Sequence, residues 1–321
     1  MSTGSLPGTA VGTRPRTNPE GFLPFHRDEL AAQALAGHAA GIAPIRPLMP
    51  DQHRAFFALL PYLFVAAADE QGWPVASVLT GLPGFVHSPD PATLRIDATP
   101  DAGDPAAAGL AQGGEVGLLG LDLATRRRNR ANGRVSSADG QGLEVQIAQS
   151  FGKCPQYIQT RRPAPGVRRA TPIETFEGLD DAARTLIASA DTFFVASRSR
   201  PEVGRDGGLD MSHRGGRPGF VGVQGDTLAI PDFRGNRFFN TLGNLLGDPR
   251  AGLLFVDFAT GDLLQLQGRV EIDWTPGGVQ PEGTERLWRM KVERGWRRRG
   301  AFPFAWTFGD YAPTTLRTGT W

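Results

Sequence analysis

The sequence is poor in the residues and patterns that define several common protein classes. Cys154 is the only cysteine among 321 residues, so the chain cannot form an internal disulfide or a cysteine-rich zinc or iron–sulfur site. Basic and acidic residues nearly balance, 34 against 33, and give a formal net charge of +1. That balance argues against a protein that binds the nucleic-acid backbone, because such binding needs a strong basic surplus.

Long hydrophobic runs are also missing. The longest, such as residues 59–68, are about half the roughly 20 residues that a membrane-spanning helix needs. Residues 1–22 are polar and interrupted by proline and glycine, which predicts a disordered tail without the apolar core of a signal peptide. We therefore expect no membrane partner and a cytoplasmic location.

The two halves of the chain resemble each other. Three short motifs recur at the same displacement of 135 residues, which predicts two homologous domains. The matched pairs are 83–86 (PGFV) with 218–221, 117–125 (GLLGLDLAT) with 252–260, and 133–135 (GRV) with 268–270. Each copy opens with a helical stretch, 178–191 in the second, and continues with short β-type runs separated by turns.

These patterns predict a mainly β protein with flanking helices (α+β), in which each copy forms one small antiparallel barrel. The predicted strands of the second copy are 193–197, 219–224, 227–231, 252–258 and 263–273. The predicted domains are residues 23–162, a degenerate copy, and 173–321, and residues 163–172 form the linker. The arginine runs at 126–130 and 297–299 favour a solvated face or a partner surface over RNA binding.

The second copy contains a polar strand that the first copy lacks. Alternation along residues 209–216 places Asp210, Ser212 and Arg214 on one face and His213 on the other. The equivalent residues of the first copy are Val75, Ser77 and Leu79. His213 is either a packed core histidine or a catalytic one.

A helical stretch follows this strand, and its start is a candidate anion site. Asn236 is the predicted N-cap, and Arg234 and Gly235 come immediately before it. Free backbone N–H groups, the positive end of the helix dipole and a flanking arginine are well suited to a phosphate. The residues predicted to share the polar side of this helix are Arg237, Asn240, Thr241 and Asn244. The alternative is an exposed helix face beside a solvated arginine.

Three motifs of the second copy carry a family resemblance. They are SHRGGRPGFV (212–221), PDFRGNRFFNTLGNLLGDPRAGLLFVDF (231–258) and GDLLQLQGRVEI (261–272). They resemble the pyridoxamine 5'-phosphate oxidase-like FMN-binding split-barrel family, above all its pyridoxamine 5'-phosphate oxidase-related, flavin-nucleotide-binding bacterial branch. The similarity covers nearly the whole chain after about residue 22. It implies two tandem antiparallel split barrels that form an internal pseudo-dimer, with FMN between them.

The resemblance also implies which residues hold the cofactor. Residues of the polar strand and of the segment after it would bind the phosphate and the ribityl chain, and the CPQY segment of the first copy would form the opposite wall. The full set of candidate FMN-binding residues is Gln156, Tyr157, Asp210, Ser212, His213, Arg214, Arg234, Gly235, Asn236, Arg237, Asn240, Thr241 and Asn244.

The implied function is an FMN-dependent oxidoreductase that acts on a small planar organic substrate, with electrons from NAD(P)H or a partner reductase. The C-terminal segment 294–299 does not match the substrate-phosphate grip of authentic pyridoxamine phosphate oxidases, so we do not expect that activity. Some members of the branch continue into a reductase module after a TGxW motif. This chain ends at Trp321, so we expect any such reductase to be a separate protein.

Several assignments stay open at this point. No residue stands out as a general acid or base, and the five histidines lack metal-binding spacing, so we assign neither a catalytic residue nor a metal. Two alternatives to an enzyme are a non-catalytic flavin carrier or redox sensor, and a split barrel that binds haem or a deazaflavin. The expected partners are a small-molecule substrate, a separate reductase and a second copy of the chain.

Overall fold

The computed structural model describes residues 22–38, 43–152, 155–167 and 172–321. In the first half, the helices are α1 (Arg27–Leu35) and α2 (Asp51–Phe57). The strands of this half are β1 (Tyr62–Ala68), β2 (Pro74–Thr80), β3 (Val86–Asp90), β4 (Thr93–Ile96), β5 (Glu115–Asp122), β6 (Arg127–Asp139), β7 (Gly142–Gly152) and β8 (Arg161–Pro165).

The second half repeats this arrangement. Its helices are α3 (Asp181–Ser189) and α4 (Asn240–Gly247). Its strands are β9 (Glu174–Glu177), β10 (Thr192–Arg198), β11 (Leu209–Gly215), β12 (Gly222–Gln224), β13 (Thr227–Phe233), β14 (Arg250–Val256), β15 (Leu263–Asp273), β16 (Thr284–Arg298) and β17 (Phe304–Phe308).

Each half is built around one antiparallel sheet, and the two sheets share a topology. The first has the strand order β2-β1-β5-β6-β7-β4-β3, and the second has the order β11-β10-β14-β15-β16-β13-β12. Every strand of the first sheet therefore has a counterpart at the same place in the second. The internal repeat of the sequence is also a repeat of topology, and the prediction of a mainly β, antiparallel fold with flanking helices is confirmed.

The two sheets pack against each other reciprocally. β11 lies against β5 and β6, and its counterpart β2 lies against β14 and β15; we call this contact the seam. Glycine is required on both sides of it. A Cβ at Gly117 would lie 2.7 Å from Asp210 Cα, and a Cβ at the counterpart Gly252 would lie 2.9 Å from Val75 Cα. The recurrence of this glycine in the repeated motif is thus explained by close backbone approach.

Apolar side chains fill three layers. Each half has its own hydrophobic interior, and a third cluster joins the halves along the seam. At the middle of this third cluster Phe64 stacks on its counterpart Phe194, with 3.6 Å between the ring centroids. This buried aromatic pair joins the two halves, because large aromatic rings contribute much of the energy of burial at such contacts.

The predicted elements of the second copy mostly form. The helix predicted at 178–191 is α3, whose N-cap Asp180 accepts a hydrogen bond from the Ala183 N–H. The predicted strands coincide with β10, β13, β14 and β15, whereas the run 219–224 becomes a strand only from Gly222 onward. Periodicity and turn residues were sufficient signals for these elements.

The helix predicted to start at Asn236 starts instead at Asn240, so the N-cap prediction was wrong. Arg237 and Phe239 have φ angles of 61° and 59°, and this left-handed conformation cannot belong to a right-handed helix. The Asn236 side chain accepts a hydrogen bond from the Phe238 N–H at 3.3 Å and so forms a local turn. The segment before α4 is therefore an irregular loop and not the first turn of the helix.

The prediction of a solvated face or a partner surface holds for only part of each arginine run. Arg130 and Arg298 are only 2 % and 3 % exposed, although Arg127 and Arg299 are exposed. Side chains alternate along β6 and β16, so each run sends some guanidinium groups inward and others outward.

Parts of other predictions lie outside the described residues. They include the tail 1–21, Lys153 and Cys154, and residues 168–171 of the predicted linker. Residues 163–165 of that linker belong to β8, which pairs with β17. Within the described ranges, no helix has the length and apolar character that crossing a bilayer requires.

Candidate functional site

A cleft opens at one end of the seam, between β6 of the first half and β11 of the second. It encloses about 810 Å³ when the open solvent at its mouth is counted, and the cavity itself makes up about 80 Å³ of this space. Ten of the residues predicted from sequence line it: Gln156, Tyr157, Ser212, His213, Arg214, Gly235, Asn236, Arg237, Asn240 and Thr241. The chain thus brings both halves together at the predicted residues.

The other three predicted residues lie elsewhere. Asp210 is buried behind the cleft in an ion pair, and Asn244 lies under α1, and both line a smaller adjacent cavity. The Arg234 side chain is exposed and does not line the cleft, although its carbonyl accepts a hydrogen bond from the Tyr157 hydroxyl at 2.9 Å. Because α4 begins six residues later, Arg234 does not flank a helix N-terminus.

Sequence reasoning missed several charged residues of the cleft. Arg128 and Arg130 come from β6 of the first half, and Asp232 and Arg286 come from β13 and β16. The run at 126–130 contained a usable signal, because arginines two residues apart on a strand point to the same face. Arg286 had no such signal, since only the pairing of β13 with β16 brings it to the cleft.

The cleft is strongly cationic. Five arginines line it against one acidic residue, Asp232. Arg286 Nε lies 2.8 Å from Asp232 Oδ2, and Arg214 Nη2 lies 3.7 Å from Asp232 Oδ1. Arg286 also pairs with Glu285 at 2.7 Å, and Arg130 pairs with Asp210. The five arginines still outnumber the three carboxylates that pair with them, and this excess of positive charge favours an anionic ligand.

Arg130 connects the two halves through a buried network. Its Nη1 lies 2.7 Å from Asp210 Oδ1 and 2.9 Å from Oδ2, and its Nη2 donates to the Ser212 hydroxyl. Thr241 Oγ1 of α4 donates to the same hydroxyl at 2.8 Å. Burial lowers the pKa of Arg130 from its ordinary value, and the Asp210 carboxylate opposes that shift. A residue of the first half thus fixes the strand that carries the cleft.

His213 has a defined protonation state. Arg128 Nη1 lies 3.3 Å from His213 Nδ1, and a guanidinium can only donate, so Nδ1 accepts and the neutral ring carries its hydrogen on Nε2. Burial lowers the pKa of His213 well below its ordinary value, and nearby Arg128 and Arg214 lower it further. Nε2 is buried and has no hydrogen-bond partner among the described residues. His213 is therefore a neutral donor at the edge of the cleft.

Helix α1 covers the back of α4 with polar side chains. His26 Nε2 lies 2.9 Å from Asn244 Oδ1, and the Asn244 amide donates to Ser197 Oγ at 3.1 Å. Asn240, which also lines the cleft, donates to Glu29 Oε1. These bonds explain why a helix rich in asparagine is stable here, although asparagine is a poor helix residue. Asn244 thus holds α4 in place.

The cleft contains buried donors that the described residues do not satisfy. The atoms without a hydrogen-bond partner include Arg130 Nε, Arg214 Nε and Asn236 Nδ2. Buried donors are almost always bonded to protein, ordered water or ligand, so these atoms fit a ligand rich in acceptor oxygens, as a phosphate is. The described residues contain no group of three histidine, cysteine or acidic side chains arranged to hold a metal ion.

Comparison with known proteins finds only distant structural likeness. The chain matches no protein-family model and no curated protein. HupZ of Group A Streptococcus is 14% identical, with a TM-score of 0.30, over 39% of this chain and 98% of that chain. An FAD-binding protein from Mesorhizobium loti is 12% identical, with a TM-score of 0.27, over 40% of this chain and 98% of that chain. Because both TM-scores are below 0.5, the family resemblance stays a prediction, and we base function on the cleft.

Proposed function

We propose that the protein is an FMN-dependent oxidoreductase and that its halves are two split barrels packed as an internal pseudo-dimer. The observation that carries the proposal is the set of unsatisfied buried donors in a cationic cleft between the halves. FMN has a doubly charged phosphate, several hydroxyl acceptors and a flat ring system.

The residues of the cleft divide into two groups that suit the two ends of FMN. Arg214 and Asn236 would hold the phosphate with charge-assisted and amide hydrogen bonds. Tyr157, Phe233 and Phe239 line the same cleft and provide flat apolar surface for the ring. Tyr157 is held in place because its ring packs against Phe233, with 5.6 Å between the centroids.

The redox chemistry would come from the cofactor, and the protein would fix its position and exclude water. Held by Arg214 and Asn236, the cofactor would supply hydride or electron exchange between NAD(P)H or a partner reductase and a small planar substrate. His213 is neutral, so it adds no charge to the cleft. We assign no residue a part in the reaction.

An absorption spectrum of the freshly purified protein is the first test. We expect the absorption bands of an oxidised flavin, and mass spectrometry of the released ligand identifies it. A haem Soret band, or no uptake of added FMN, would contradict the proposal. Reduction by NAD(P)H and turnover with a panel of acceptors then separates the enzyme from a carrier, which would bind flavin in a stoichiometric amount without turnover.

A further inference from the structure

A second positively charged depression adjoins the cleft. It lies between α2 and the turn that joins β5 to β6, and we call it the basic groove. It encloses about 1230 Å³, its wide mouth included. The residues of the basic groove that matter for the inference are Arg46, Arg126, Arg127, Arg128, Asn236 and Phe238. No carboxylate is among the described residues that line it.

The guanidinium groups of the basic groove are not neutralised equally. Arg126 is paired with Asp310 at 2.8 Å. Arg46 and Arg127 have no carboxylate within 4 Å among the described residues, and both are exposed. The Arg127 guanidinium lies 4.8 Å from the centroid of the Phe56 ring, which restrains it without removing its charge. The groove therefore presents cations that can still bind an anion.

The turn that carries these arginines has a fixed shape. Arg126 has a φ of 58°, a conformation that a non-glycine residue adopts only when its surroundings hold it. Its Nε donates to the Ile158 carbonyl at 2.8 Å, and its pairing with Asp310 ties the turn to the C-terminal segment. The neighbouring Arg127 is thus presented on a constrained backbone, as expected for a binding surface.

The basic groove adjoins the cleft. Arg128 and Asn236 line both. A molecule that occupies the groove therefore lies next to the cleft. The groove suits a long ligand that has its charge at one end and its reacting group at the other.

We propose that the basic groove binds the phosphate groups of a nicotinamide dinucleotide whose nicotinamide end enters the cleft. This inference rests on the proposed function. Two or more free guanidinium groups match a pyrophosphate, and one more phosphate on the adenosine ribose adds further charge for them to bind. NADPH is therefore the preferred electron donor over NADH.

Calorimetric titration of the purified protein with NADP⁺ and NAD⁺ tests this proposal without turnover. The test variant is the double substitution Arg46→Ala, Arg127→Ala. The matched control is Arg289→Ala, which removes an exposed arginine of β16 that lines neither the cleft nor the groove. Flavin content is measured on every sample.

We expect NADP⁺ to bind at least about tenfold more tightly than NAD⁺, and the double variant to lose at least about tenfold in NADP⁺ affinity. The control should stay within about twofold. The proposal that the groove binds the dinucleotide is overturned if the double variant keeps its NADP⁺ affinity, or if the flavin-containing protein binds no NADP⁺. Either result leaves the proposed function intact. Absence of flavin overturns the proposed function instead, while the NADP⁺ result still decides the groove.

Discussion

The two ends of the seam use equivalent strands for different purposes. At the cleft, Arg130 of β6 reaches Asp210 and Ser212 of β11. At the opposite end the counterpart of Arg130 is Gln265, which donates to Asp104 Oδ1 at 3.2 Å and to a carbonyl of β2. The same backbone position thus carries a charged arginine at one end and a neutral amide side chain at the other.

The opposite end is filled by the protein itself. Asp104, from the loop that replaces α4 in the first half, accepts from Ser77, the counterpart of Ser212. Arg298 Nη1 lies 2.8 Å from Asp104 Oδ2. Leu79 stands where the second half has Arg214. A buried carboxylate and its arginine thus occupy the space of a ligand, whereas the cleft keeps unsatisfied cations. The two ends therefore differ both in single residues and in the replacement of helix α4 by a loop.

The largest difference should appear in stability. Arg130→Ala leaves the buried Asp210 carboxylate without its cation, so we expect the free energy of unfolding to fall by about 3–5 kcal/mol. The matched substitution Gln265→Ala removes only hydrogen bonds of a neutral amide, so we expect the free energy of unfolding to fall by about 1–3 kcal/mol. Urea unfolding of both variants measures this, and equal losses would contradict the comparison.

The next largest difference concerns FMN affinity. Arg214→Ala removes a charge-assisted contact to the phosphate, so we expect the FMN dissociation constant to rise roughly 10- to 150-fold, or about 1.5–3 kcal/mol. Leu79→Ala, at the counterpart position, should lower stability and leave FMN affinity within about twofold. Titration calorimetry beside unfolding curves separates the two effects. An unchanged FMN affinity in Arg214→Ala would remove that residue from the site.

The pH dependence of stability should also differ between the two ends. His213 stands at the cleft, whereas Val78 occupies the counterpart position. Because burial lowers the pKa of His213, the unfolded chain binds a proton that the folded chain does not as the pH falls below about 6.5. Stability is therefore lost toward acid, by up to about 1.4 kcal/mol per pH unit for each such histidine.

His213→Gln tests this pH dependence. Glutamine can still accept from Arg128 but does not titrate, so the variant should lose less stability than the wild type between pH 7 and pH 5. His26 and His53, whose pKa values are also lowered by burial, should account for the loss that persists. Identical slopes in the two proteins would show that His213 is protonated in the folded state.

The smallest effect is expected at Arg234. Its side chain is exposed and does not line the cleft, so Arg234→Ala should change FMN affinity by a factor of about five or less. Dialysis of the flavin-loaded variant beside Arg214→Ala gives the comparison. If Arg234→Ala lost as much FMN affinity as Arg214→Ala, the phosphate would have to bind on the exposed side of the loop.

The repeat and most elements could be predicted from the sequence, because hydrophobic periodicity and turn residues are local signals. The polar strand at Asp210, Ser212 and Arg214 was visible for the same reason. The start of α4 could not be predicted, since Arg237 and Phe239 adopt left-handed angles that only their tertiary surroundings impose. Asn236 is a good N-cap by residue type, but the chain uses it in a turn.

The cross-seam contacts lay beyond the sequence for a different reason. The buried role of Arg130 can be predicted only when β6 is known to lie against β11. This contact joins residues that are 80 apart in the chain. The buried roles of Asn240 and Asn244 depend on α1, which lies more than 200 residues earlier. Polar residues that occur in the second copy and not in the first indicated where the site lies. Packing between the halves determines which of these residues face the cleft.

Comparison of FMN with riboflavin, which lacks the phosphate, tests the central claim most directly. If the cationic cleft at the seam binds the phosphate, the wild-type protein should bind FMN at least about tenfold more tightly than riboflavin, and Arg214→Ala should reduce that preference. Equal affinities of the wild type for the two flavins would contradict the account.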